Sequence, residues 1–148
     1  MKKFKFSLDT VLKYKEQVLE ELKREHGFII AAIVEKEAEI KILENNYHYR
    51  KEDFNNEKTK GMSVVDALSH EAHIHIIQHN IKIERERLKE LYLKEAQKRE
   101  EVVAAKTEVS SFEKLREKRI EEYEELVQKD EERFIEEFVA NKSIAQYL

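Results

Sequence analysis

Proline, cysteine and tryptophan are absent from the 148-residue chain, and glycine occurs twice, at Gly27 and Gly61. A globular domain of this length turns many times, and turns draw on glycine and proline. The chain therefore reverses direction very few times. With no cysteine there is no disulfide framework, which fits a reducing compartment. No stretch approaches the roughly 20 apolar residues of a membrane span. The basic opening, Met1-Lys2-Lys3-Phe4-Lys5-Phe6, is not followed by an apolar run of secretory-signal length. The reading is a cytosolic chain without direct membrane insertion. A Gly-rich phosphate loop is missing, which argues against nucleotide binding. A surplus of positive charge is missing too: 28 Lys and Arg stand against 32 Asp and Glu, a net charge of -4. Nucleic acid is not among the expected partners.

What is there in quantity is charge and aliphatic side chains. Charged residues make up 41% of the chain, against roughly 25% in ordinary globular proteins. That leaves too few residues for a thick core. The apolar share, also 41%, is too large for a self-repelling disordered chain. Long helices with a narrow apolar seam satisfy both facts.

The seam is legible residue by residue. Alternate steps of four and three from Leu8 meet Leu8, Leu12, Leu19, Leu22, Ile29, Ile33, Ile40, Leu43, Tyr47 and Phe54. Lys15, His26, Lys36 and Arg50 interrupt the series, with stems long enough to cover a seam while their heads reach water. A 3.5-residue period held this long implies a left-handed supercoil against a partner helix. A second series starts at Ile74 and runs through Ile77, Ile81, Leu88, Leu91, Ala105, Val109 and Phe112 to Tyr123, past which the phase slips as in a stutter.

Capping residues set the expected bounds. Ser7 is the candidate N-cap of a first helix over about 7–57, with Asp9 in its first turn. A turn over about 58–62 contains Gly61 as the left-handed residue. Ser63 caps a second helix over about 63–139, with Asp66 three residues on. So short a connection makes the helices antiparallel neighbours. The expected fold is all-α, one coiled-coil domain over 1–148, a two-helix antiparallel hairpin bending near Gly61. Folding there brings together residues whose numbers sum to about 122, and leaves the segment after about residue 120 without an intramolecular partner.

Candidate sites are few. His75 and His79 stand at i,i+4 in a cluster with His70 and His73, a spacing that can hold a metal. No third ligand is fixed at that face, so the expectation is a polar, pH-sensitive surface and no metal or other cofactor. Two packed helices offer no concave pocket to tune carboxylates, so no enzyme activity is expected. The tail from Glu121 to Glu137 holds nine acidic and two basic residues, yet keeps Tyr123, Leu126, Val127, Phe134 and Ile135. It reads either as a solvated helix end or as a helix that seeks a partner.

Phe4-Lys5-Phe6-Ser7-Leu8-Asp9-Thr10-Val11-Leu12 resembles the Phe-x-Phe-x-Leu-x-x-x-Leu opening of flagellar FliJ proteins. Gly61-Met62-Ser63-Val64 resembles that family's mid-chain turn, and Phe112-Glu113-Lys114-Leu115-Arg116-Glu117-Lys118 its C-terminal helix. The resemblance implies a non-enzymatic component of the flagellar type III export apparatus, similar in shape to the stalk of rotary ATP synthases. It implies three partners: the flagellar ATPase ring, the cytoplasmic domain of the export-gate membrane protein, and export chaperones. The implied location is cytoplasmic, peripherally at the inner face of the membrane. The implied ring contacts are Phe4, Phe6, Leu8 and Leu12. The implied gate contacts are Ile42, Tyr49, His73 and Ile77, although the family often has an aromatic about where His70 or His73 stands here. The alternatives are the equivalent stalk of an injectisome or rotary ATPase, and a purely structural coiled coil that self-associates through its tail.

Overall fold

The computed structural model describes residues 2–147. It consists of two helices, α1 over Asp9–Lys60 and α2 over Val64–Tyr147, packed side by side as an antiparallel hairpin. The described residues contain no strand.

The seam forms the core. Leu12, Leu19, Ile33, Ile40 and Phe54 of α1 are buried, as are Ile77, Ile81, Ala105 and Val109 of α2. Of the fourteen positions in the expected first series, only Arg50 is exposed. The core is thin: among the described residues no large side chain is completely enclosed. This is what two helices without a third layer can achieve.

The turn forms where expected and for the expected reason. Gly61 has φ of 95°, a left-handed conformation that costs any residue with a Cβ. Its amide donates to the Lys58 carbonyl at 3.2 Å. Ser63 caps α2: its Oγ accepts from the Asp66 amide at 3.2 Å, and its carbonyl accepts from Ala67 at 3.0 Å.

Three boundaries differ from the sequence reading. α1 begins at Asp9, and Ser7 with Leu8 forms a turn in which the Asp9 amide donates to the Phe6 carbonyl at 3.1 Å. The first helical bond runs from Leu12 N–H to the Leu8 carbonyl at 2.9 Å. α1 also continues through Asn55-Asn56 to Lys60. Those turn-prone residues stay helical because tertiary contacts hold the last turns: Phe54 stacks on His70 at 5.3 Å, and Glu57 meets His70 Nε2 at 3.0 Å. α2 runs on to Tyr147, since nothing in Ala140–Tyr147 breaks a helix.

The chain divides into two compact units. One comprises 21–102 and contains the turn. There α1 faces α2 through His26 with Glu95 at 2.9 Å, Lys36 with Glu84 at 2.7 Å, Glu44 with Arg85 at 2.6 Å and Tyr47 with Gln78 at 3.0 Å. These partners match the expected register to within about one heptad. The other unit comprises 1–20 with 103–148, where Lys15 meets Glu108 at 3.0 Å.

In that second unit the phase of α2 slips earlier than Tyr123. Arg116 and Arg119 are exposed, while Leu115, Ile120, Tyr123 and Val127 are half-buried. The inward positions thus step eleven residues, from Val109 to Ile120 and from Phe112 to Tyr123. Such a step is a stutter that locally unwinds the left-handed supercoil. It lets α2 turn aliphatic side chains inward instead of two arginines.

Candidate functional site

The unit formed by 1–20 and 103–148 presents an end built from three pieces: the non-helical segment 2–6, the first turns of α1, and α2 from Phe112 onward. Segment 2–6 reaches Tyr123 of α2. Phe4 packs on the Tyr123 ring at 5.7 Å between centroids and 55° between planes, and Tyr123 Oη donates to the Lys2 carbonyl at 2.5 Å. The four N-terminal site residues are accordingly drawn together with α2. Phe4, Phe6 and Leu8 are half-buried, while Leu12, 5% exposed, is a seam residue. Only the first three keep surface that a partner could touch.

Beyond Val127 every described residue of α2 is exposed. The helix nevertheless carries Phe134, Ile135, Phe138 and Val139, all 58% exposed or more. At 100° per residue these four fall on one face, with Asp130 and Glu132 along its edges. An apolar strip of this kind, open to water and flanked by carboxylates, is a surface that a partner could cover. Its residues were visible in the sequence. Their start after Val127, not 120, was not, because the reach of segment 2–6 could not be read from helical spacing.

The unit formed by 21–102 carries the other four expected site residues, and the structure separates them. Ile42 and Tyr49, two turns apart on α1, are exposed, and His73 on α2 is exposed. Ile77 is 9% exposed and packed in the seam. Its neighbour Ile76 points outward, 57% exposed, and lines a groove with Arg50, Ser69, His70, Ala72 and His73. A second open groove is lined by Ile42 and Leu43 of α1 with Asn80, Ile83 and Arg87 of α2. Sequence reasoning missed Ile76 and Ile83. The signal was present, since Ile77 belongs to the 74, 77, 81 series and its neighbour must then face out.

The seam of this unit also contains ion pairs whose chemistry is perturbed. The Glu84 carboxylate beside it raises the Lys36 pKa above the ordinary lysine value, with Glu39 adding to this. Lys36 in turn lowers that of Glu84. Lys98 is raised by its hydrogen bonds to Glu25, first, and Glu101. The Tyr92 hydroxyl donates to Glu37, which raises the phenol's pKa. These are ion pairs and one phenol–carboxylate hydrogen bond along the helices, and none of them faces an enclosed cavity. Among the described residues no three His, Cys, Asp or Glu side chains come together as a metal site. No helix among them is long and apolar enough to cross a membrane.

Fold and surface thus define an all-α hairpin protein whose chemistry lies in exposed faces and open grooves along two helices. Comparison with family models gives a match to the flagellar FliJ protein family over residues 4–146, nearly the whole chain. The chain belongs to that family and so to the components of the flagellar protein export apparatus. Comparisons with curated proteins and with solved structures return no match.

Proposed function

We propose that the protein is a non-catalytic, cytoplasmic stalk of the flagellar export apparatus. In this reading the end containing Phe4, Phe6, Leu8 and Leu12 engages the export ATPase and promotes its ring assembly. The half containing the turn meets the cytoplasmic domain of the export gate and handles export chaperones.

The observation that carries the reading is the joined end. Segment 2–6 is pinned to Tyr123, and the helix beyond it leaves Phe134, Ile135, Phe138 and Val139 in water. An end with uncovered apolar surface is suited to insertion into a partner. Family membership over 4–146 supports the export setting. At the other end, Ile42, Tyr49 and His73 are exposed, with Ile76 beside them. Ile77 contributes to that surface by fixing the helices beneath it.

The test is ATP turnover and sizing of the flagellar ATPase from the same organism, with and without this protein. A rise in turnover with ring-sized species is expected, and Phe4→Ala with Phe6→Ala should remove it while far-UV circular dichroism stays unchanged. No change at saturating protein would refute the ring assignment.

A further inference from the structure

The two sides of the hairpin in the 21–102 unit are unlike. On one, Ile42 and Ile83 line a groove with Glu39 and Arg87. On the other, an open groove of about 650 Å³ has Tyr47 and Ile81 at its floor and Lys82, Arg85 and Lys89 along α2. Spacings of three and four place those three cations on one helix face. Lys41 and Lys51 of α1 share the face of Glu44 and His48 by the same spacing, and Lys51 Nζ lies 5.8 Å from the Tyr47 ring. The acidic groups lining the groove are Glu44, which is bonded to Arg85, and Glu86; Glu37, which accepts from Tyr92, and Glu52 share the α1 face by the same spacing. Lys41, Lys82 and Lys89 have no ion-pair partner among the described residues. A chain of net charge -4 therefore has a locally cationic groove with an aromatic and an aliphatic side chain at its base.

The complementary surface is in the same molecule. The α2 tail presents Phe134, Ile135, Phe138 and Val139 to water between Asp130 and Glu132, in a stretch of nine acidic and two basic residues over 121–137. Tails cannot pack on one another without opposing those charges. Tail and groove are opposite in charge, and each carries apolar side chains. We propose that the acidic, apolar tail of one copy docks along the Lys82–Arg85–Lys89 groove of a second copy. The apolar strip would lie against half-buried Tyr47, and the flanking carboxylates would meet the free lysines. Such self-association occupies the tail assigned above to another partner, and it goes beyond that assignment.

Sedimentation of the full chain at low and at high ionic strength tests this without any ATPase, so its outcome is independent of the ring reading. The expected result is a weight-average mass that rises with concentration from one 17.8 kDa chain toward two or more at low salt. At about 0.5 M salt, where exposed charges are screened within a few ångström, it should fall back toward one. Lys82→Glu with Lys89→Glu should abolish association, and so should Asp130→Lys with Glu132→Lys. All four positions are exposed, so circular dichroism should be unchanged. Mixing the two charge-reversed chains should restore a complex. A monomer at low salt in the unmodified chain would overturn the proposal. So would association that survives reversal of the groove, which would mark tail-to-tail packing, or a mixture that fails to restore it.

Discussion

At the scale of single residues, small differences in position decide large differences in role. Ile76 and Ile77 are adjacent and chemically identical, yet one is 57% and the other 9% exposed. Gly61 is similarly specific. Nothing lies within 4 Å of a Cβ built there, so the whole cost of Gly61→Ala is the left-handed backbone at φ 95°. We expect a loss of about 1 kcal/mol in unfolding free energy, read by urea titration. Gly27, in mid-helix with equally free space, should give a gain of similar size on Gly27→Ala. Equal effects at the two positions would contradict this account. The Lys36–Glu84 pair makes a pH prediction. The Glu84 pKa is lowered in the folded state, so its contribution is present above the ordinary carboxylate value of 4.5 and is lost as pH falls further. The Lys36 pKa is raised, so its contribution holds below the ordinary value of 10.5 and is lost as pH climbs past the folded value. Glu84→Gln should therefore lower the thermal midpoint at pH 7 and flatten its decline in the acid range. An unchanged acid profile would count against the pair.

At the scale of elements, periodicity carried most of the information. The first helix series was legible because each of its positions obeys one rule of spacing, and even the polar Lys15, His26 and Lys36 are at least partly withdrawn from solvent. What spacing could not supply was anything set by tertiary contact. Ser7 has the chemistry of an N-cap, but α1 starts at Asp9 with segment 2–6 drawn onto Tyr123. Asn55-Asn56 has the chemistry of a stop, but Phe54 and Glu57 are held by His70. The stutter lies where two arginines would otherwise face inward, and its place depended on which of several near-equal phases buried more aliphatic surface. Of the candidate site, the N-terminal aromatics and the tail strip were legible as apolar residues in a charged chain. Which of them remain open to a partner was not. The tail also gives a prediction proper to an element. Residues 128–147 are helical yet exposed throughout, and an isolated helix of that length is marginal in water. Their amides should exchange with deuterium orders of magnitude faster than those of the seam around Ile33, Ile40, Ile77 and Ile81. Uniform protection along α2 would show that the tail is covered in solution.

At the scale of the whole molecule, the question is why two long, highly charged helices adopt one pairing. The apolar seam alone does not answer it. A sliding helix meets aliphatic side chains again after each heptad, so neighbouring registers bury similar area. The polar members of the seam discriminate. His26 meets Glu95 at 2.9 Å, Lys36 meets Glu84 at 2.7 Å and Lys98 meets Glu25 at 2.8 Å. A slip of one heptad would set half-buried His26, Glu95, Lys36, Glu84 and Lys98 against aliphatic neighbours, and an unpaired polar group in a seam is costly. Replacing both members of a pair by leucine should then preserve or raise stability while loosening the register. The lack of native cysteine makes this testable by cross-linking. Glu44 and Arg85 face each other at 2.6 Å, and Tyr92 lies one heptad beyond Arg85. Glu44→Cys with Arg85→Cys should be joined rapidly by a bifunctional thiol reagent as long as the two native side chains, and Glu44→Cys with Tyr92→Cys slowly. In a Lys36→Leu, Glu84→Leu background the second pair should gain on the first, with no fall in the thermal midpoint. If the ratio stays as it is in the native background, the register is held by the turn and the aliphatic seam, and the polar layers do something other than align the helices.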